Sequence, residues 1–383
     1  MTISGDVDFV LRVIEQSNTI THVPAALYRW RTHLGSAGHQ MKSAVMDATI
    51  GALTRHLKRL DIPARVEPGL YFNNFRVDFE GGGGKVGIII PTRNRGDLLQ
   101  KCIESMERTV DMTRVKIVIV DHESDDSETL NYLRFLASRQ VVMPYCGPFN
   151  FSCINNRAVE EYTDDCEYVL FLNNDTEAIE AGWLARMRSL AGRTDVGVVG
   201  ATLLYDDNTI QHAGVIIGVN ELADHAHKFV PFMSGAERNI GFNCSLTSVR
   251  DYSAVTAACM MMRREVFLEV GKFDEELAIG YGDTDLCLRA LSAGYKILND
   301  AFSVLYHHES ATRAKTMQFE HPEDAKRFQE KWPQLARDGG DPFYNPMLTL
   351  RGVDHTVIAS CNSAVGRSRN QQVVLPQVPR RSL

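Results

Sequence analysis

Between Val86 and Leu172 the chain alternates short β-branched runs with amphipathic stretches. Val86–Ile90, Val115–Val120 and Tyr168–Leu172 read as strands, and Asp97–Arg108, Glu128–Ser138 and Cys153–Tyr162 as helices. This alternation predicts a mostly parallel sheet covered on both faces. From Gly182 onward the pattern is mixed. Val196–Tyr205, Ile210–Val219 and Phe302–Tyr306 read as strands, Arg264–Val270, Asp283–Ala293 and Pro322–Trp332 as helices, with a less regular stretch through Thr247. The run Gly81–Gly84 continues neither a helix nor a strand cheaply and reads as a linker. Asp341–Pro346 is a turn-rich docking segment, and residues 362–383, with four arginines and no acids, read as a disordered tail.

Composition narrows the classes. The 383 residues are 44% hydrophobic and 23% charged with a formal charge of −7, enough for two or three domains. No sustained Lys/Arg run offers a nucleic-acid footprint, so nucleic acid is not expected as a partner. The longest apolar runs fall far short of the roughly 18 residues of a membrane span, and Met1–Asp6 does not read as a secretory leader. The eight cysteines are scattered with no C-x-x-C pair, which points to a reducing, cytoplasmic setting.

An internal repeat outweighs these boundaries. Gly5-Asp6-Val7-Asp8-Phe9-Val10-Leu11-Arg12 matches Gly282-Asp283-Thr284-Asp285-Leu286-Cys287-Leu288-Arg289 at five of eight positions, about 280 residues away, and Leu27-Tyr28 then matches Leu305-Tyr306. The spacing implies duplication of a whole domain. Residues 1–80 are accordingly expected to be the closing remnant of an upstream domain, 81–84 a linker, 85–312 a complete domain, and 313–361 a helical and docking extension.

Four clusters carry candidate chemistry. Asp121 ends the second strand at the carboxyl edge, where open α/β sheets bind ligands and where a carboxylate can accept from a base N–H or a ribose hydroxyl; it can equally cap the following turn. Pro91-Thr92-Arg93 leave the first strand on the same edge. Tyr168–Leu172 runs into Asn173-Asn174-Asp175, and a hard divalent cation that keeps water and phosphate ligands needs only one or two carboxylates, which makes Asp175 a metal candidate. Asp283 and Asp285 open a helix, where acids also suit the helix dipole; as a functional group Asp283 is a general base and Asp285 holds its loop. His307 and His308 are adjacent on a strand, so only one can face a site. His225-Ala226-His227 reads as a surface or acceptor-side feature.

Taken in order, Ile89-Ile90-Pro91-Thr92-Arg93-Asn94, Asp121, Asn173-Asn174-Asp175-Thr176, Gly271-Lys272-Phe273-Asp274-Glu275 and Gly282-Asp283-Thr284-Asp285 resemble a family 2 glycosyltransferase. The resemblance covers residues 85 to about 312 and implies an α/β fold of GT-A type, the Rossmann-like nucleotide-diphospho-sugar transferase plan with a mixed central sheet. Pro148–Ser152, Gln211–Gly214, Ser253–Cys259 and Tyr306–Ser310 are similar to bacterial members that build O-antigen, rhamnan and other surface polysaccharides, often with two tandem domains; Leu27–His33 is similar to the end of the first. The resemblance implies a nucleotide-diphospho-sugar donor held by Pro91, Thr92, Arg93, Asp121, Asn156, Asn173 and Asn174. It implies Mg²⁺ or Mn²⁺ on Asp175, with His307 or His308 adding a ligand. Asp283 would be the catalytic base, and Thr256, Asp274 and Asp285 would border a glycan or lipid-linked acceptor, transfer proceeding with inversion. A lipid-linked acceptor would bring the chain, with other polysaccharide-synthesis proteins, to the inner face of the membrane. Asn173 and Gly282 stand where the family has Asp and Glu. Those departures leave a non-catalytic sugar-nucleotide or glycan-binding module as the alternative; a nucleotidyltransferase is disfavoured because Thr92–Leu98 supplies no Gly-rich, basic triphosphate loop.

Overall fold

The computed structural model describes residues 3–308 apart from positions 18, 24–26, 29, 30, 32, 34, 220 and 221, together with 321–333, 341–353, 355–358 and 372–373. The tail apart from Gln372–Val373, which pair antiparallel with Ile20–Thr21, lies outside the described residues, as do positions 309 and 310 of the Tyr306–Ser310 motif and positions 29, 30 and 32 of Leu27–His33.

Helices α1 (Gly5–Gln16) and α2 (Lys42–Arg59), with a single helical turn at Ala37–Gln40 between them, precede a hairpin of β1 (Ala64–Pro68) and β2 (Phe75–Phe79). The alternating part follows as β3 (Val86–Thr92), α3 (Gly96–Thr109), β4 (Val115–His122), α4 (Ser127–Leu136), β5 (Val141–Tyr145), α5 (Phe151–Tyr162) and β6 (Tyr168–Leu172). Then come β7 (Thr176–Ala178), α6 (Trp183–Ala191), β8 (Val196–Leu204), β9 (Ile210–His212), β10 (Val215–Ile217), β11 (Ala223–His225) and β12 (Cys259–Arg263). The chain proceeds through α7 (Gly282–Ser292), β13 (Lys296–His307) and α8 (Pro322–Lys331).

The ten-stranded sheet runs from the short Arg250–Asp251 edge through β13, β8, β12, β6, β3 and β4 to β5, with β9 on β8 and β7 on β13. β6, β3, β4 and β5 are parallel, as the strand-helix alternation requires. β12 inserts antiparallel between β6 and β8, so the sheet is mixed, in keeping with the GT-A expectation. β6 and β8 are buried throughout, and two apolar clusters cover the opposite sheet faces. Each fully buried Ile or Val there contributes about 1.5–3 kcal/mol.

Several details depart from the sequence reading. The stretch predicted as one strand over Ile210–Val219 is broken into β9 and β10 at Gly214, whose φ of 101° belongs to glycine. β5, β7, α6 and β12 carry no periodic signal long enough to read. The glycine run is packed against the domain: a Cβ at Gly82, itself at φ 69°, would stand 2.7 Å from the Arg188 carbonyl oxygen. Beside it, Arg186 pairs with Asp78, Ser189 Oγ donates to the Phe79 carbonyl at 2.6 Å, and the Arg193 guanidinium lies 4.3 Å from the Phe79 ring centre.

The repeat has a structural counterpart. α1 and α7 each start at the repeated glycine after a left-handed residue, Ser4 (φ 58°) and Tyr281 (φ 62°). The second repeated aspartate pairs with the repeated arginine one turn on, Asp8 with Arg12 at 3.1 Å and Asp285 with Arg289 at 2.9 Å. A later helix supplies a further cation in each copy, Arg55 from α2 and Lys331 from α8. The burial differs. Leu286, Cys287 and Ala290 of α7 are 0% exposed, whereas their counterparts Phe9, Val10 and Val13 of α1 are 60%, 52% and 48% exposed.

Candidate active site

After β4 and β5 extend the sheet to one side of β3, β6 returns to the other side, and this reversal is where an open α/β sheet leaves a crevice at its carboxyl edge. Thr92 ends β3, Asn174 follows β6, and the Asn174 amide donates to Thr92 Oγ1 at 2.8 Å across the gap. A cleft of about 530 Å³ opens there. It brings together Pro91, Thr92, Arg93, Asn173, Asn174, Asp175, Thr256, Asp283 and His307 of the residues singled out from sequence.

Asp175 and His307 meet because β7 pairs with the end of β13, His307 opposite Thr176, and the His308 N–H donates to the Asp175 carbonyl at 2.8 Å. Oδ1 of Asp175 stands 3.1 Å from Nε2 of His307, and the Asn173 amide reaches the same nitrogen at 3.1 Å. Burial pushes the Asp175 carboxyl up, but its hydrogen bond to His307 and the charge of that ring outweigh it and hold the group below the ordinary carboxylate value. Nδ1 of His307 faces Gln211 Oε1 at 2.6 Å, so Nδ1–H donates to Gln211; Nε2 donates to Asp175 while the ring is protonated and offers a lone pair there once that proton is lost. That donor pair suits a hard or borderline divalent cation completed by water and phosphate oxygens. Among the described residues no third His, Cys, Asp or Glu joins them.

Asp283 lines the same cleft. Its Oδ2 accepts the Ala257 N–H at 3.0 Å and its Oδ1 the Thr284 N–H at 2.7 Å, which fixes the carboxyl with its edge toward the cleft. Thr256 is set by His212, whose Nε2 accepts the Thr256 N–H at 3.4 Å and the Gly214 N–H at 3.3 Å. Burial, then His225 and His307, drive His212 well below its ordinary value, so it serves as a neutral acceptor. Gly282 leaves room for α5: a Cβ there would stand 3.2 Å from Ser152 Oγ, and Ser152 itself lines the cleft.

Five expected site residues have other partners. His308 points away from Asp175, with Nε2 at 3.0 Å from Glu177 and Nδ1 on Asp206, because strand alternation turns it to the other face. Asn156 is buried and holds the distant Gly271–Glu275 turn, accepting the Phe273 N–H at 3.0 Å and donating to its carbonyl at 2.9 Å. Asp274 pairs with Lys331 at 2.6 Å outside the cleft. Asp285 is 0% exposed and accepts Trp332 Nε1 at 2.9 Å beside Arg289 and Lys331, so it is closed to an acceptor sugar. Asp121 caps the turn through the Ser124 N–H at 3.1 Å and does not line the cleft, although it lies beside Thr92 in register.

Beside the cleft, Asn94, left-handed at φ 55°, stitches the loop after β3 to the loop after β4 by accepting the Asp125 and Asp126 N–H groups at 2.9 and 3.2 Å. Phe149, His122 and His321 also face the cleft, and His321 Nε2 is buried without a hydrogen bond. Of the histidine pair, His225 lines the cleft, whereas His227 turns inward at φ 61° to Ser245.

Residues 87–271 match the family described as glycosyl transferase family 2. The chain is 37% identical over 365 residues to the uncharacterized protein y4gI of Sinorhizobium fredii and 34% identical over 360 residues to the O-antigen biosynthesis protein RfbC of Myxococcus xanthus. Each alignment covers 91% of this chain, which spans 39% and 27% of the length of those two relatives. Among solved structures, GalNAc-T7 with UDP, GalNAc and Mn²⁺ superposes over 61% of this chain and 45% of that one, with a TM-score of 0.45 and 14% identity. The mannosyltransferase PcManGT of Pyrobaculum calidifontis with GDP-Man and Mn²⁺ superposes over 80% and 77%, with a TM-score of 0.46 and 16% identity. The chain thus carries a glycosyltransferase family 2 domain.

Proposed function

We propose that this chain is an inverting glycosyltransferase that moves a hexosyl or rhamnosyl group from a nucleotide-diphosphate donor to a glycan or lipid-linked acceptor in bacterial surface polysaccharide synthesis. The observation that carries the reading is one cleft lined by both Asp283 and the Asp175–His307 pair. Asp283 takes the proton of an acceptor hydroxyl, whose oxygen forms the new bond to the anomeric carbon as the bond to the diphosphate breaks on the opposite face. Asp175 and His307 would hold Mg²⁺ or Mn²⁺, which supplies positive charge beside the departing diphosphate. Pro91, Thr92, Arg93 and Asn174 border the nucleotide, with Asp121 beside them through its pairing with Thr92.

The relation to an O-antigen protein supports the polysaccharide assignment. Among the described residues no helix is long and apolar enough to cross a membrane; a lipid-linked acceptor would draw the chain to the cytoplasmic membrane face. We also propose that residues 1–80 include the closing elements of a second such domain, a reading supported by the matched geometry of α1 and α7.

Asp283→Asn decides between enzyme and binding module. Transfer and donor hydrolysis are expected to fall by about 10³-fold or more while Mn²⁺-dependent nucleotide binding persists. A wild-type protein that binds nucleotide but turns over no donor in a nucleotide-sugar panel would establish the binding module instead.

A further inference from the structure

The backbone that presents Asp283 is gripped along its length by α8. Asp324, in the first turn of α8, is 8% exposed, and its Oδ2 accepts the N–H groups of both Ile279 (3.0 Å) and Gly280 (2.8 Å). Ile279 and Gly280 line the cleft just before Asp283. Phe328, one turn on, stacks against Tyr281 with ring centres 5.1 Å apart, and Tyr281 is the left-handed residue from which α7 springs. Arg327 donates to the Glu276 carbonyl at 2.7 Å, and Lys331 and Trp332 hold Asp285 on the far side.

Gly280 has no side chain with which to anchor the turn, and a Cβ there would meet the Asp324 Cβ at 3.6 Å. Its amide and that of Ile279 are therefore the handles by which the turn is held. An acidic oxygen receiving two amides in a buried place is a stiff restraint, because hydrogen bonds to an ionised acceptor are roughly twice as strong as neutral ones. Misplacing a reacting group by about 1 Å can cost about 10²-fold in rate.

We propose that Asp324 is a positioning residue of the transfer reaction, setting Asp283 against the acceptor hydroxyl by holding the Ile279 and Gly280 amides. It touches no substrate. The inference rests on the reading of Asp283 as base, and it makes α8, which lies outside the residues matched to the family, a working part of the cleft.

The test uses the full chain and the donor that the wild type turns over from a panel of UDP-, GDP- and dTDP-sugars with Mn²⁺, water serving as acceptor. Turnover and the Kd of the matching nucleoside diphosphate are measured for each variant. Asp324→Ala should lower kcat by about 100-fold with that Kd within about threefold of wild type, since the nucleotide side of the cleft is untouched. Asp324→Asn, which keeps an oxygen in the same place, should recover to about three- to tenfold below wild type. A kcat for Asp324→Ala within about threefold of wild type overturns the proposal, as does a parallel loss of kcat, nucleotide affinity and Tm that the asparagine fails to rescue. Should the alanine variant not fold, the asparagine variant decides, and an undiminished kcat there is equally fatal. Asp283→Asn, run alongside, separates the two levels: its full activity overturns the base assignment itself, whereas its inactivity beside an unaffected Asp324→Ala removes only the positioning role. A wild type that turns over no donor overturns both.

Discussion

Gln211 Oε1 lies 2.6 Å from Nδ1 of His307, and this contact decides which ring nitrogen faces Asp175. Replacing Gln211 by Ala frees the ring to rotate or change tautomer. Outer partners of a ligating histidine typically account for about 10–100-fold in metal affinity, so Gln211→Ala should weaken Mn²⁺ binding by that factor. Calorimetric titration of Mn²⁺ in the presence of nucleotide measures it, and an unchanged Kd would remove His307 from the cation site.

Asp285 carries the same helix start but a different burden. With its carboxyl 0% exposed among Arg289, Lys331 and Trp332, Asp285→Ala leaves two cations facing a void. Removing one partner of a buried ion pair costs about 3–5 kcal/mol, which denaturant unfolding will register as a lower midpoint. A loss of activity without loss of stability would return Asp285 to the acceptor side.

The docking segment gives a pH dependence. Asp341 is buried against β10, accepting the Ile217 N–H at 2.9 Å and the Phe343 N–H at 2.8 Å, and burial pushes its carboxyl up to about 6. A carboxyl whose pKa is higher folded than unfolded binds its proton preferentially in the native state. Its contribution therefore makes stability fall as pH rises from about 4 to 6 and level off above, by at most about 3 kcal/mol. Asp341→Asn should abolish that slope in unfolding experiments across this range.

On α1, Phe9 and Val13 are 60% and 48% exposed. Phe9→Ser with Val13→Ser should change the unfolding free energy of this chain by less than about 0.5 kcal/mol each. Within a longer polypeptide whose upstream sheet covers α1, the same pair should cost several-fold more, and equal costs in both settings would argue against a second domain there.

β3, β4 and β6 of the parallel half were legible because each carries a short unbroken apolar run, as a strand covered on both faces requires. Asn173, Asp175 and Asp283, which line one cleft, stand out in the sequence as punctuation at the ends of clear elements. Asp274, Asp285 and Asn156, expected beside ligand from the resemblance, have partners within the protein, because a polar residue at such a position shows its chemistry but not its partner. Lys331 and Trp332, which claim Asp274 and Asp285, arrive from more than 45 residues downstream. β12 hid in a run of three methionines, residues without strand preference that tertiary pairing with β6 and β8 turns into a central strand. The doubled histidine was read correctly as one in and one out, and only the pairing of β7 with β13 tells which.

The glycine run also bears on where the molecule can be cut. Composition invites a truncation at Gly81–Gly84, yet Gly82 is seated on the Arg188 carbonyl and the hairpin before it lends Asp78 to Arg186 and the Phe79 ring to Arg193. A fragment beginning at Lys85 would uncover that side of α6 and strand the Arg186 guanidinium beside Asp300 alone. The smallest piece that keeps the catalytic sheet's outer face clothed begins before β1, near Pro63, where the Glu80 amide closes the hairpin at 2.8 Å.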